Sequence, residues 1–446
     1  MRNEIINVKC VDYTFDGQAI CKLDRRVIFV PSLLKDEEAD VEILYRKKDY
    51  DIGRIVKITK ISEYRSKSKC PCSTSCGGCC FQNLLYSEQL KLKFDHASDT
   101  FKRIGGVNTP VTKIYGMDKP YRYRNKIQVP FGYDRQGRLV YGFYRFKSHD
   151  IVPITDCVIE DEVHVNILKT IRNLMVSMHI DAYDEDRRRG IIRHVLIRVG
   201  KVSKEVMVVI VVNTMRFPSS KNFVHEIVKE NSAVSTVIFN LNDRDTNVIL
   251  GAKEEVMYGK GFIYDELLGV RFKISSKSFY QVNHDQCEVL YDLAIKEAEL
   301  KKTDNILDAY CGIGTIGLIA SKYCKSVDGV EIILEAISDA KENAYVNNIR
   351  NTNYVCGDAA SYIINKPYDC VFVDPPRKGL DLPFLNSLLK SKPKKIIYIS
   401  CDVGTLARDL KELKSIYDIV SINLVDMFPH TFHVESVVSL CRKDSK

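Results

Sequence analysis

Asn305-Ile-Leu-Asp-Ala-Tyr-Cys-Gly-Ile-Gly-Thr-Ile-Gly-Leu-Ile319 is an apolar run that enters a glycine turn and leaves it in a helical pattern. Gly312 and Gly314 let the backbone come close to a ligand, and the amides that open the next helix are free for a carboxylate or phosphate. Val327-Asp-Gly-Val-Glu331 then reads as a second strand, closing on an acid 19 residues after Gly312. A carboxylate there can accept hydrogen bonds from both ribose hydroxyls of an adenosine. From about Gln286 onward the chain alternates helix and apolar strand in the rhythm of a doubly wound parallel sheet. Gly312, Gly314 and Gly317 run close to the dinucleotide-binding pattern, so the turn alone leaves a nicotinamide cofactor open.

A later strand narrows the choice. Tyr368-Asp-Cys-Val-Phe-Val-Asp-Pro-Pro-Arg377 ends with Asp-Pro-Pro at the carboxyl edge, where open α/β sheets bind ligands. The prolines stiffen that loop and hold Asp374 over the crevice. Gly-x-Gly, acid and Asp-Pro-Pro together resemble the class I methyltransferases, and Asp358 in Val355-Cys-Gly-Asp358 stands where that fold places an adenine contact.

Lys395-Ile-Ile-Tyr-Ile399 is a further strand, and Ser400-Cys401-Asp402 puts a cysteine at the same carboxyl edge. A thiol beside a methyl donor has a specific use. Uracil is too electron-poor at carbon 5 to attack a sulfonium methyl, but thiolate addition at carbon 6 converts the ring to an enolate that can. A base must afterwards remove the carbon 5 proton so that the thiol can leave. Cys401 is the candidate nucleophile. Glu435, in Asp426-Met-Phe-Pro-His-Thr-Phe-His-Val-Glu435, is the candidate base, with His430 and His433 as alternatives.

Towards the N-terminus, five short strands are expected in the first sixty residues: Glu4–Val11, Gly17–Leu23, Arg26–Val30, Ala39–Arg46 and Asp49–Ile58. They suggest a small oligonucleotide-binding type of barrel. Cys70-Pro-Cys-Ser-Thr-Ser-Cys-Gly-Gly-Cys-Cys80 comes next, with five of the chain's 15 cysteines. Such density without an export signal points to a metal in a reducing compartment. Several ligand sets fit the spacing, and iron–sulfur and zinc both suit thiolates. Cys72, Cys76 and Cys79 have the spacing of radical enzymes, a reading set aside because a complete methyl-donor site lies elsewhere. A helical stretch is expected near Leu84–Ile104. A mixed central region runs to about Tyr280, with strands at Arg124–Phe131, Leu139–Phe146, His194–Val199, Glu205–Val212 and Thr236–Asn240 and a helix near Val163–Met178.

The net charge is +8, and residues 61–150 hold sixteen Lys/Arg against seven Asp/Glu, which accounts for the whole excess. Rings alternate with cations there, in Tyr121-Arg-Tyr-Arg-Asn-Lys126 and Phe143-Tyr-Arg-Phe-Lys147. Rings can stack on bases while cations meet phosphates, so RNA is the expected partner. The longest apolar run, Val206–Val212, is far below the ~20 residues of a membrane helix. A cytoplasmic, membrane-free monomer is the expectation.

Taken in order, Phe279-Tyr-Gln-Val-Asn283, Leu307-Asp-Ala-Tyr-Cys-Gly-Ile-Gly314, Gly329-Val-Glu331, Asp374-Pro-Pro-Arg377, Ser400-Cys401 and His430-Thr-Phe-His-Val-Glu435 resemble the motifs of the bacterial RNA (uracil-5-)-methyltransferase family. The match runs end to end and is nearest the 23S ribosomal RNA enzymes. The resemblance implies four regions: a TRAM-like, OB-like β-barrel over 1–60 and a cysteine-cluster segment over 61–110, then a central α+β RNA-binding domain over 111–280 and a class I (Rossmann-like) methyltransferase domain of α/β type over 281–446. It implies S-adenosylmethionine contacts at Gln281, Tyr310, Glu331 and Asp374, joined by Gly312 of the glycine turn and by Asp358. It makes Cys401 the nucleophile and Glu435 the proton acceptor. The family's cysteine pattern selects Cys70, Cys76, Cys79 and the downstream Cys157 for a [4Fe-4S] cluster, ahead of zinc, and leaves Cys72 and Cys80 as spare thiols. Transfer RNA is the second substrate class, and a catalytically silent RNA-binding factor is the reading from outside enzymology. Family members often continue Ser-Cys as Asn-Pro; here Asp402-Val403 stands instead, so a less rigid loop is expected after the thiol.

Overall fold

A computed structural model of the chain describes residues 4–14, 16–145, 148–245 and 248–445. It divides into two compact units, one of Met1–Lys93, Gly142–Val158 and Phe428–His433, the other of Phe94–Tyr141, Ile159–Met427 and Val434–Lys446.

In the first unit, β1 (Ile5–Tyr13), β2 (Ala19–Leu23), β3 (Arg26–Val30), β4 (Glu38–Arg46) and β5 (Tyr50–Lys60) close into a barrel in the order β1-β2-β3-β5-β4. Inward positions alternate along each strand, so Val8, Cys10, Ala19, Cys21, Ile28, Val30, Ala39, Val41 and Ile43 fill the barrel. All five expected strands are present, within about two residues at each end. Residues 70–80, the cysteine run, have neither helix nor strand. They form a chain of turns whose peptide groups bond locally, Ser73 N to Cys70 O and Cys76 N to Cys72 O.

The second unit holds two layered regions. Helix α1 (Tyr86–Thr100) leads into it, ahead of β6 (Lys113–Tyr115), β7 (Lys126–Tyr133), β8 (Leu139–Tyr144), α2 (Glu162–Ser177), β10 (Ile192–Val199), β11 (Val206–Val212), α3 (Ser220–Glu230), β12 (Val234–Leu241) and β13 (Lys253–Tyr258); β9 (Ile151–Pro153), between β8 and α2 in the chain, belongs to the first unit. The central strands lie in the order β13-β12-β11-β10-β7-β8. β10 and β11 are buried along their whole length, which explains why they read as continuous apolar runs rather than as alternation.

A hairpin of β14 (Ile263–Leu267) and β15 (Val270–Ile274) precedes the last region. That region comprises α4 (His284–Ala298), β16 (Asn305–Ala309), α5 (Thr315–Ala320), β17 (Ser326–Glu331), α6 (Leu334–Val346), β18 (Thr352–Cys356), α7 (Ala359–Tyr362), β19 (Cys370–Val373), α8 (Leu382–Ser391), β20 (Lys395–Ser400), α9 (Val403–Leu413), β21 (Tyr417–Val425) and β22 (Glu435–Arg442). The sheet order is β18-β17-β16-β19-β20-β22-β21-β6, parallel from β18 to β20, with β22 antiparallel to both neighbours. Leu307, Val330, Val371, Val373 and Tyr398 pack one face of it. Each such side chain contributes roughly 1.5–3 kcal/mol of burial. Strand β6 pairs with β21 from more than three hundred residues away, a join with no local signature in the sequence.

Strand order reverses between β16 and β19. One half of the sheet grows away through β17 and β18, the other through β20 and β22. The crevice at that switch point is where an open α/β sheet receives its ligand.

Candidate active site

The glycine turn leaves β16 at the switch point. Tyr310 takes φ +63°, a left-handed conformation uncommon for a residue with a side chain, and its ring meets Phe384 edge-on at 5.3 Å. Gly312 has φ +53°, and a Cβ built on it would touch nothing within 4 Å, so the space over this backbone is open. Gly317 serves packing instead: a Cβ there would come within 2.9 Å of Asp308 Oδ2 and 3.0 Å of Val327 Cγ1. Gly312, Gly314 and Gly317 in fact keep the complete Gly-x-Gly-x-x-Gly spacing. Spacing therefore does not separate this turn from a dinucleotide site; the Asp-Pro-Pro strand end does.

Four carboxyl groups converge on the crevice. Glu331, at the end of β17, accepts Gly312 N at 3.3 Å on one oxygen and Ile332 N and Ile333 N at 2.8 and 3.1 Å on the other. A carboxylate so placed keeps lone pairs for hydroxyl donors. Asp374, one residue beyond β19, is pushed up to about 7 by burial. Glu435 opens β22, is 3% exposed, and is pushed up to about 8 by burial and then by the charge of Asp374, against the pull of Arg377. Asp308, part of the Leu307–Gly314 motif but given no role by it, is buried and pushed up to about 7 by burial and by Asp374 and Glu331, although Gly317 N donates to it at 2.8 Å. Clustered carboxyls shift one another in this way because ionising one raises the cost of ionising the next. Such a site favours a cationic ligand.

Cys401 lies in the turn between β20 and α9. The β20–β22 register pairs Ser400 with Ser436 and, carried one residue further, sets Cys401 opposite Glu435. Side chains directly opposite in an antiparallel pair share a face, with Cβ atoms about 4.5–5.5 Å apart. The thiol is pushed up to about 11 by burial, then by Glu435 and Asp374, with Arg377 acting the other way. Arg377 thus acts on both Cys401 and Glu435. Its signal in the sequence is its place directly after Asp-Pro-Pro. The expectation of a looser turn after the thiol is corrected. Asp402 caps α9, accepting Thr405 N at 2.8 Å, and Ser400 Oγ accepts Asp402 N at 3.1 Å while donating to Asp402 O at 3.0 Å. The asparagine–proline pair is replaced by a capping aspartate, which pins the same turn.

Gln281 is buried, and its side chain meets the hydroxyl of Tyr291 on α4, itself within range of Asp374 and Glu435. Its carbonyl accepts Asn125 Nδ2 at 3.0 Å. Asp358, expected near an adenine, is exposed at the sheet edge and caps α7, accepting Ser361 N at 3.0 Å and Ser361 Oγ at 2.9 Å. Of the alternative bases, His430 is 2% exposed within the first unit, where its Nδ1 lies 3.2 Å from Gln89 Nε2. His433 belongs to that unit too and is exposed.

Cys70, Cys72, Cys76, Cys79, Cys80 and Cys157 all fall in the first unit. Tyr144 and Pro153 lie against the cysteine turns: Gly77 N donates to Tyr144 O at 3.4 Å, and Cys72 Sγ is 3.6 Å from Pro153 O. Cys76 Sγ accepts Gly78 N at 3.4 Å and Cys79 Sγ accepts Gln82 Nε2 at 3.7 Å. Among the described residues no group of three or more His, Cys, Asp or Glu is arranged to hold a metal ion, so in this arrangement the expected thiols do not form a metal site. Of the ring–cation runs, Tyr123 is core, Tyr144 is exposed, and Phe146 and Lys147 lie outside the described residues. No described helix is long and apolar enough to cross a membrane.

Comparison with known proteins agrees with this geometry. Residues 360–443 match the family model for tRNA (Uracil-5-)-methyltransferase, and residues 284–382 match a methyltransferase small domain. A protein of Bacillus cereus (strain ATCC 10987 / NRS 248), described as an uncharacterized RNA methyltransferase, is 42% identical over 99% of this chain and 97% of its own length. One of Staphylococcus epidermidis (strain ATCC 12228 / FDA PCI 1200), described in the same words, is 39% identical over 100% and 99%. The crystal structure of Pyrococcus abyssi tRNA (uracil-54, C5)-methyltransferase in complex with S-adenosyl-L-homocysteine superposes with a TM-score of 0.79 at 27% identity, covering 98% of this chain and 100% of that one. With the switch-point crevice and the near-complete coverage by these relatives, the chain is a member of the RNA (uracil-5-)-methyltransferase family.

Proposed function

We propose that the protein transfers a methyl group from S-adenosylmethionine to carbon 5 of a uridine in 23S ribosomal RNA, through a covalent bond between Cys401 and carbon 6. The observation that carries this reading is the end of the β20–β22 ladder, where Ser400 pairs with Ser436 and, one residue further on, the charge of buried Glu435 bears on the Cys401 thiol. The open backbone over Gly312 and the carboxyls of Glu331 and Asp374 fit the donor, with Gln281, Tyr310 and Asp358 as its further contacts. When bound, the donor supplies an electrophilic methyl and a positive charge that the carboxyl cluster favours.

The chain's own groups do the rest. Cys401 adds to carbon 6 as the thiolate, and the electrons pushed onto the ring make carbon 5 nucleophilic. After carbon 5 gains the methyl, Glu435 takes the proton from that carbon. The ring double bond re-forms and the thiolate is expelled. A carboxyl held near neutrality is well matched to this task. Arg377 favours both ionised forms.

The barrel over 1–60 suits a TRAM-like RNA-binding module, ahead of the cysteine segment (61–110), central domain (111–280) and catalytic domain (281–446). A [4Fe-4S] cluster on Cys70, Cys76, Cys79 and Cys157 rests on the family's cysteine pattern and on the contacts of Tyr144 and Pro153 with the cysteine turns; it would tie the segments together without electron transfer. Cytoplasmic location and a monomeric state are our reading. Transfer RNA is the second substrate reading, favoured by the substrate of the Pyrococcus structure. Methylation of 23S and tRNA transcripts with labelled S-adenosylmethionine, followed by nucleoside analysis, tests the proposal. It predicts 5-methyluridine in the 23S transcript. Label confined to tRNA selects the second reading, and label in neither, or on another base, contradicts both.

A further inference from the structure

Strands β7 and β10 are antiparallel neighbours, and their register sets Lys126 directly opposite Arg198. Like charges facing each other across a ladder repel, so the pair is unfavourable unless an anion joins it. Glu160 is near, but its Oε1 is taken by Arg124 Nε at 3.0 Å; its Oε2 lies 3.2 Å from His164 Nδ1 without a hydrogen bond between them. Arg198 is 6% exposed and has no carboxylate partner among the described residues. Its Nη2 donates to Ser278 O at 2.7 Å and to Ser276 O at 3.4 Å, while its Nε is buried without an acceptor. Lys126 is half-buried, and no described residue pairs with its ammonium. Burial, then Arg198 and Arg124, push Lys126 down to about 8, against the pull of Glu160.

The same strand edge is joined to the segment that reaches the crevice. Asn125 N donates to Val282 O at 2.8 Å, Asn125 Nδ2 donates to Gln281 O, and Arg198 holds the carbonyls of Ser276 and Ser278. A buried guanidinium and a half-buried ammonium beside that segment, neither bonded to a carboxylate among the described residues, form a receptor for an anion. A phosphodiester is the anion that an RNA strand brings.

We propose that Lys126, with Arg198 behind it, binds one phosphodiester of the substrate strand next to the nucleotide presented to Cys401. This rests on the proposed function only in taking RNA as the ligand. A phosphate oxygen accepts a hydrogen bond from the Lys126 ammonium, and the buried guanidinium adds charge without contact. Because the bound phosphate favours the protonated lysine, binding takes up a proton above the free lysine's value and weakens as the pH rises through about 8. The charged groups facing Lys126 are Arg124, two residues before it, Arg198 on β10, and Glu160, which Arg124 engages and His164 on α2 adjoins.

The test uses the full chain and a fluorescein-labelled oligouridylate, with anisotropy read across a salt series below and above pH ~8. Lys126→Met is expected to weaken binding about three- to tenfold and to lower the slope of log affinity against log salt by about 0.7, the single-strand value for one phosphate. Lys126→Arg is expected to keep the affinity and remove its loss with rising pH. Both variants should bind S-adenosylhomocysteine and melt as the wild type does. Wild-type affinity and slope in Lys126→Met, or an unchanged pH profile in Lys126→Arg, would overturn the site. A wild-type protein that shows this binding signature without methylating uracil contradicts the catalytic reading and supports the site.

Discussion

The crevice at the β16/β19 switch and the cysteine turns near residue 75 both concentrate reactive side chains, and they are built in opposite ways. Strand ends deliver the crevice groups, Glu331 from β17, Asp374 from β19, Cys401 from β20 and Glu435 from β22, so backbone register fixes which side chains meet. The thiols of residues 70–80 sit on turns whose peptide groups bond to one another, and two of their sulfurs accept N–H donors from Gly78 and Gln82. A site scaffolded by a sheet exists before its ligand. A chelating site is organised by the ligand it binds, because metal affinity and local folding are one free energy.

The largest way to break the comparison is at its scaffolded end. Glu435→Gln keeps the strand and removes the base. Turnover should fall by about 10²–10⁴, the usual contribution of a positioned base, and methylated RNA should remain bonded to the protein on denaturing gels. Unchanged turnover would remove Glu435 from the chemistry. At the other end, stripping metal from protein purified without oxygen should release iron and sulfide. It should alter protease sensitivity within residues 61–93 and leave S-adenosylhomocysteine affinity as it was. Purified protein that holds zinc, or no metal at all, refutes the cluster.

A smaller effect sharpens the electrostatics of the crevice. Cys401 is pushed up to about 11 in part by Glu435, which ionises near 8, so at pH ~9 the carboxylate opposes the thiolate. Glu435→Gln should therefore speed iodoacetamide alkylation of Cys401 severalfold at that pH and hardly at all below about 7, where the carboxyl is protonated. Equal rates at both would show that the two groups do not share a face. The smallest expected effect is on the turn itself. Asp402→Ala loses the cap on Thr405 N and should cost about 1 kcal/mol, lowering the melting temperature by about 2–4 °C.

Much of this is legible in the residues, and what is not has physical causes. The barrel strands alternate inward and outward, so their pattern survives in the sequence. β16, β17 and β19 declare themselves because each ends in a residue with a chemical constraint, a glycine, an acid or a proline pair. The joining of β6 to β21 and the facing of Lys126 by Arg198 are long-range pairings, which leave no trace in local composition. Asp308 looks like an ordinary strand residue because the Gly317 amide it accepts is nine positions away. His430 looks like a base since it sits five residues before Glu435, yet the chain between them passes from one compact unit to the other. The cysteine spacing suggests ligands, and spacing alone does not set where a sulfur points.

Substitution of 5-fluorouridine in the RNA replaces the proton that Glu435 would remove with a fluorine it cannot, so the adduct should stall. Tandem mass spectrometry of the digested complex is predicted to find the fluoropyrimidine, with its new methyl, on the peptide containing residue 401. A complex that never forms, or one linked through a different side chain, would contradict the account.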